Sequence, residues 1–334
     1  MWEKDINIHE VREIRSRTTV FFGVGAIAKI DDICKDLKAR GLDKLIVVTG
    51  HGAYKKTGAW DYVTKAFAAH GITYVHYDKV TPNPNTHHVN EAAKMAQDFG
   101  AKAMLAIGGG SAIDAGKSVA ILMKYPGKTA EDLYTFQFTP AEAAPIIAIN
   151  LTHGTGSEAN RFAVVSIEEK NFKPAIAYDC LYPLYSIDDP ALMAGLSENQ
   201  TRYVSIDAVN HVVEAATTTL TSPYAIDLAI SVVQLVKEYL PVALKDPKDL
   251  TARYFLAYAA LIAGIAFDNG MLHYTHALEH PLSGVNPNLT HGLGLAMLLP
   301  AVLKNIYPAR PATLADVLAP IVPGLKGCGC EAET

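Results

Sequence analysis

The first 190 residues alternate short β-branched runs with helical stretches of about ten to fifteen residues, and this alternation constrains the fold more than any other feature. Thr18–Gly25 (TTVFFGVG), Lys44–Gly50 (KLIVVTG), Ile72–Tyr77, Ala103–Ile107 and Pro145–Asn150 read as strands. Helical apolar spacing covers Ala26–Ala39, Asp61–His70, Val89–Phe99 and Ala112–Lys124. Shorter strands are expected at Phe162–Ile167, Ala175–Tyr178 and Tyr185–Ile187. Near-continuous apolar strands are buried on both faces, and their repetition with helices builds βαβ units on a mostly parallel sheet. Thr81–Thr86 (TPNPNT) is expected to be a rigid loop, because Pro82 and Pro84 fix φ and donate no ladder bond.

After Asp189-Pro190 the texture changes. Helical patterns run over Glu198–Thr217, Ala225–Leu240, Leu250–Ala266, Met271–His280, Gly292–Ile306 and Ala312–Leu318, with no strand among them. The expected organisation is an α/β domain over residues 1–190 and an all-α domain over residues 191–334. That length leaves ample core. The net charge is −5 with no basic block, which argues against nucleic acid as a partner. The N-terminus MWEKDINIHEVREIRSR is charged and has no apolar core of the signal-peptide kind. No apolar run is expected to span a bilayer. Of the four cysteines, Cys328 and Cys330 form a lone pair in a polar tail, with no second pair to complete a zinc site. Reduced thiols in a cytoplasmic protein are the expectation.

The chemistry concentrates in two places. Leu272–Gly292 (LHYTHALEHPLSGVNPNLTHG) holds four of the chain's twelve histidines. His276 and His280 are four apart and share a helical face. His291 follows a turn read over Pro281–Asn288. Upstream, SIDAVNHVVE places Asp207 and His211 four apart as well. Neutral imidazoles with one carboxylate suit iron(II), zinc and their neighbours. A lone histidine would be a core or capping residue; two such pairs plus His291 point to a divalent metal.

The second place is the turn Gly108–Asp114 (GGGSAID), between a strand and a helix. Glycines let a bound group approach the backbone, and the helix N-terminus offers N–H donors to a phosphate. A glycine run alone is weak evidence. A second loop strengthens it: Thr152–Glu158 (THGTGSE) follows the next strand, on the edge where doubly wound sheets take their ligands.

Together GGGSAIDAGK, THGTGSE, DAVNHVVEA and HALEHPLSG…HG, with the PNP loop at Pro82–Pro84 and the entry FFGVGA, resemble the iron-containing (group III) alcohol dehydrogenase family. The likeness runs from about residue 18 to about residue 325. It implies a Rossmann-like N-terminal domain and a helical C-terminal domain, the fold shared with dehydroquinate synthase. It implies NAD(P)-linked interconversion of a small primary alcohol and an aldehyde, with iron(II) as the usual metal and zinc in some relatives. By resemblance the metal ligands are Asp207, His211, His276 and His291, and His280 is the family's additional histidine, assigned to proton relay near the nicotinamide ribose. Gly109, Gly110 and Ser111 correspond to cofactor-phosphate contacts, and Asn83, Asp114, Thr152, Thr155 and Lys173 to other cofactor positions. His153 stands where the family usually has alanine. Glu279 and Glu158 are each read as helix-surface or loop-capping carboxylates in preference to acid–base groups.

NADP(H) is expected over NAD(H). An acidic residue near a strand end binds the adenosine ribose 2′-OH and repels a 2′-phosphate; in this family it commonly follows the first core strand. Here that strand ends in Gly50, with His51, Lys55 and Lys56 beyond it. A homodimer is expected from the resemblance and from the apolar strand Thr19–Phe22, whose unpaired edge would be a liability. The rival enzyme is a metal-dependent lyase of the dehydroquinate synthase type. Its phosphorylated substrate calls for basic residues, and Gly270–Gly294 contains no Lys or Arg. The rival of another class is a catalytically silent metal- or nucleotide-binding subunit.

Overall fold

The structure, a computed structural model, describes residues 1–326. Cys328 and Cys330 therefore lie outside the described residues. Two compact units are present. One comprises Arg17–Thr152 and Ser157–Gly195; the other comprises Met1–Ser16, the short segment His153–Gly156 and the described residues from Leu196 onward.

The first unit is built on the strands β1 (Thr19–Phe22), β2 (Lys44–Gly50), β3 (Thr73–Val80), β4 (Ala103–Gly108), β5 (Ile146–Asn150) and β8 (Tyr185–Asp188). They form one sheet in the order β1-β8-β5-β4-β2-β3, and every adjacent pair is parallel. Alternate residues serve opposite cores. Ile46, Val48, Met104, Ala106, Ile146 and Ala148 pack on one face with α4 (Thr86–Phe99) and α5 (Gly110–Leu122). Leu45, Val47, Leu105, Ile107, Ile147 and Ile149 pack on the other with α1 (Ile30–Ala39) and α3 (Ala59–His70). Burial on both faces is why β2, β4 and β5 carry almost no polar residues. Two short helices, α2 (Ala53–Lys56) and α6 (Ala130–Tyr134), were not legible in the sequence. The strands β6 (Phe162–Val164) and β7 (Ala175–Ala177) stand apart as an antiparallel pair.

From β2 the chain crosses to β3 on one side, and from β4 it crosses to β5 on the other. The order therefore reverses between β2 and β4, at Gly50 and Gly108, the position where such sheets hold ligands beyond the carboxyl ends of their strands. α4 starts earlier than expected, at Thr86 rather than Val89. The reason is a capping box: the Asn85 side chain accepts from the His88 N–H, and the His88 ring accepts from the Asn85 N–H.

The second unit is helical: α7 (Glu198–Thr217), α8 (Pro223–Lys245), α9 (Leu250–Gly270), α10 (Tyr274–Val285), α11 (His291–Ile306) and α12 (Pro311–Leu318). Three boundaries correct the sequence reading. α8 runs past Leu240 through Pro241 to Lys245. Met271 does not start a helix; it takes a left-handed φ of 68° and closes α9 through its N–H to the Phe267 carbonyl at 2.7 Å. Pro281 does not open a turn. α10 continues through it to Val285, because one missing N–H costs one rung while the Asn286 N–H still reaches the Leu282 carbonyl at 2.9 Å. Leu250–Gly270 and His291–Ala309 are also long and apolar enough to cross a membrane by length and composition, against the expectation of no such run. The first is mostly buried inside its own unit, as the core helix of a bundle is.

Candidate functional site

One face of α7 presents Asp207, His211 and, one turn further, Glu214. α10 presents His276, Glu279 and His280, and His291 is the first residue of α11. These elements bring the four sequence-predicted ligands together. Asp207 Oδ1 lies 3.4 Å from His211 Nε2, 3.7 Å from His276 Nε2 and 3.7 Å from His291 Nε2. The His211 and His276 rings stack with centroids 4.7 Å apart. Asp207, His211 and His276 are each less than 5% exposed. His291 is partly open, and His280 stands beside it with ring centroids 5.5 Å apart.

Two glutamates fix how the rings face. Glu214 Oε1 holds His276 Nδ1 at 2.6 Å and accepts the His276 N–H at 3.1 Å, while its Oε2 accepts the His273 N–H at 2.6 Å. Glu279 Oε2 holds His291 Nδ1. Each carboxylate selects the tautomer whose Nε2 lone pair is turned toward Asp207. Both glutamates are fully buried, so the surface or capping reading of Glu279 is corrected. Glu214 was missed altogether. The signal was present, since it follows His211 by three residues on the ligand face of α7.

The donor set tests whether a metal fits. Asp207 Oδ1 and His276 Nε2 are buried and meet no hydrogen-bond partner. An acceptor oxygen and imidazole nitrogens whose other nitrogen is already bound leave lone pairs facing one another. Such a group is satisfied by a cation bound by nitrogen and oxygen donors. Without the metal a proton takes its place. Burial disfavours charge on His276, yet Glu214 and Asp207 outweigh it and push the imidazole up to about 9. Burial and the neighbouring imidazoles hold His211 down to about 4 despite Asp207. Glu214 falls to about 2 because His276 outweighs the cost of burial. Asp207 lies well below the carboxylate range for the same reason, the three histidines prevailing over desolvation.

The other predicted residues are divided between the two units, most of them in the sheet unit. Gly109 abuts Thr152 so closely that a Cβ on it would sit 2.8 Å from the threonine Oγ1, so only glycine lets the two strand-end loops close together. α5 begins at Gly110, and Ser111 lies in its first turn. Asn83, with φ at 53°, accepts from Lys173 Nζ at 2.9 Å. Asp114 turns inward: Oδ1 accepts from Ser157 Oγ at 2.5 Å and Oδ2 from the Val164 N–H at 3.0 Å. Lys117, fully buried and not singled out in the sequence, donates to Ser157 Oγ at 3.0 Å and to the carbonyls of Asn160 and Phe162 at 2.8 Å each. Gly50 ends β2 with the exposed His51, Lys55 and Lys56 after it. Thr155 lies in the segment that belongs to the helical unit, with His153. His153 is buried, its Nε2 3.2 Å from Ser205 Oγ. Burial and the Arg253 charge hold its imidazole down to about 3.

Comparison with known proteins gives consistent matches. Residues 17–190 match the family model described as iron-containing alcohol dehydrogenase, and residues 201–329 match that of the family's C-terminal domain. The chain is 57% identical, over its full length and 84% of the relative's, to the long-chain primary alcohol dehydrogenase AdhA of Thermoanaerobacter ethanolicus. It is 34% identical to a 1,3-propanediol dehydrogenase of Citrobacter freundii, covering 89% of this chain and 76% of that one. Among solved structures, an NADH-dependent butanol dehydrogenase A from Thermotoga maritima superposes with a TM-score of 0.87 at 30% identity, covering 97% of this chain and 80% of that one.

Proposed function

The chain belongs to the iron-containing alcohol dehydrogenase family, and from that premise we propose which residues perform the reaction, on which cofactor, and in what assembly. The chain is a metal-dependent alcohol dehydrogenase with a nicotinamide cofactor. Asp207, His211, His276 and His291 hold the metal, iron(II) first and zinc as the alternative. The observation that carries this reading is the convergence of Asp207 Oδ1 with the Nε2 atoms of three histidines, where Asp207 Oδ1 and His276 Nε2 are buried without a hydrogen-bond partner. A divalent metal bound there supplies Lewis-acid stabilisation of the charge that an alcohol oxygen develops, and the nicotinamide ring supplies the hydride acceptor.

The chain's own residues do the rest. Glu214 and Glu279 keep His276 and His291 in one tautomer. His280, surplus to a four-ligand set and beside His291, moves the alcohol proton to solvent. The backbone N–H groups of Gly109, Gly110 and Ser111 hold the cofactor phosphates at the start of α5. Thr152, Asn83, Asp114 and Lys173 complete the cradle, with Asp114 acting through Ser157 and the Val164 N–H. NADP(H) is taken over NAD(H): Gly50 sits at the switch point with no carboxylate, and His51, Lys55 and Lys56 offer positive charge to a 2′-phosphate. The substrate is a primary alcohol or its aldehyde. The dimer forms through β1, one of the two edge strands of the sheet. The free thiols Cys34 and Cys180 support a cytoplasmic location.

The decisive assay follows the reduced nicotinamide with iron-loaded protein on primary alcohols from short to long chain. No turnover with any of them overturns the substrate assignment. His280→Ala should lower kcat by about 10²–10⁴-fold with metal content intact; unchanged turnover across pH removes the relay. For the cofactor, kcat/KM should favour NADP, and an NAD preference of about tenfold, roughly 1.4 kcal/mol, reverses the reading. Gly50→Asp should weaken NADP use and spare NAD. A Cβ at Gly50 would stand 3.1 Å from the Val80 carbonyl, so Gly50→Ala is the control that separates crowding from charge.

A further inference from the structure

Glu158 and Asp188 are fully buried in the sheet unit, and the reaction described above gives them no task. Asp188 ends β8, and Glu158 closes the hydroxyl-rich loop that Thr152 opens. Both ends of that loop lead to β8. Asp188 Oδ1 accepts from Asn150 Nδ2 at 2.9 Å, and Asn150 Oδ1 in turn accepts the Thr152 N–H at 3.1 Å. Ser186 Oγ donates to the Glu158 carbonyl at 2.6 Å, and Asp188, two residues on and so on the same face of β8, is the carboxyl group that interacts with Glu158. If both were ionised, neither oxygen of Glu158 nor Asp188 Oδ2 would find a donor. Two buried like charges in contact are strongly disfavoured. A single proton converts the contact into a charge-assisted O–H···O bond.

We propose that Glu158 and Asp188 share one proton, and that this carboxylic acid–carboxylate pair latches both ends of the Thr152–Glu158 loop to the end of β8 as positioning residues for the cofactor. The purpose assigned to the latch rests on the reading of that loop as part of the cofactor cradle. The other charged groups facing the pair are Lys117 and Asp114 on α5 and Asp189 just after β8. Lys117 donates to Ser157, Asn160 and Phe162, and the Asp189 carboxylate accepts the N–H groups of Ile27 and Ala191, so neither supplies the missing hydrogen bond. Burial first raises both groups above the ordinary carboxylate range; the Glu158 charge raises Asp188 further, while a hydrogen bond from Asp188 pulls Glu158 back down, as expected when the proton sits on Asp188 and Glu158 accepts it. The folded pair thus keeps a proton that the unfolded chain releases near pH 4, and stability falls as the pH rises from there through the pair's own titration.

The substitutions Asp188→Asn and Glu158→Gln each supply an amide N–H in place of the proton and keep the shape. Three measurements on the full chain test the proposal: the infrared carboxyl region, Tm from about pH 6 to about pH 10, and NADP(H) affinity over the same range by fluorescence titration. The wild type should show a protonated-carboxyl band that both variants lack. Its Tm should decline with rising pH and its cofactor affinity should fall by up to about tenfold per pH unit, while both variants stay flat. Absence of the band, or an alkaline decline shared by wild type and variants, overturns the shared proton. A flattened Tm profile with no matching change in cofactor affinity upholds the shared proton and overturns the cradle role of the loop.

Discussion

Asp207 and Asp188 are both aspartates buried to within a few per cent, and their surroundings push them in opposite directions. In the helical unit Asp207 faces three imidazoles, so its carboxylate is held ionised against the cost of burial. In the sheet unit Asp188 faces Glu158, so burial and like charge keep a proton in place. One cluster is short of a cation and the other already holds the smallest one. Burial alone decides nothing about a carboxyl group; the sign of what it faces decides. His153 is a third case. It is a buried titratable side chain on which burial and the Arg253 charge act in the same direction, and it stays neutral.

The same substitution in both clusters gives the largest expected contrast. Asp207→Asn should lose bound metal, and with several kcal/mol of Lewis-acid stabilisation gone, turnover should fall by at least about 10³-fold. Asp188→Asn should keep both at neutral pH. Equal damage from the two, by metal analysis and kcat, breaks the comparison. Next, Glu214→Gln and Glu279→Gln should each weaken metal binding by about 10–100-fold, because the amide no longer fixes the ligand tautomer. The same change at Glu158 should leave metal affinity alone. A metal titration that finds all three alike removes the orienting role.

The smallest effect concerns His153. The unfolded chain takes up a proton below about pH 6.5, whereas the folded imidazole resists until about 3. Stability contributed by the neutral ring is therefore complete above the unfolded value and lost as the pH falls, by at most about 1.4 kcal/mol per unit. Urea unfolding of the metal-free protein should show this acid limb reduced in His153→Ala. An unchanged slope places the acid sensitivity elsewhere.

The parts of this molecule that follow local rules were legible. β2, β4 and β5 were readable because a strand buried on both faces has nowhere to put a polar residue. The pairs Asp207 with His211 and His276 with His280 stood out because i, i+4 spacing is a property of one helix. Where a reading failed, local rules gave two answers. Pro281 breaks helices in general, yet α10 runs through it, and the Asn85 cap starts α4 at Thr86, three residues ahead of the apolar pattern.

By itself the sequence determined the alternation of strands and helices, the change of texture after Asp189-Pro190, and the set of metal-binding residue types, because each depends on neighbours within a few positions. Only the tertiary structure decided what each carboxylate faces. Glu214 and Glu279 became partners of His276 and His291, and Glu158 became the partner of Asp188. Thirty residues separate Glu158 from Asp188 along the chain. No periodicity encodes that contact, and the charge state of a buried group is set by the contact rather than by the residue.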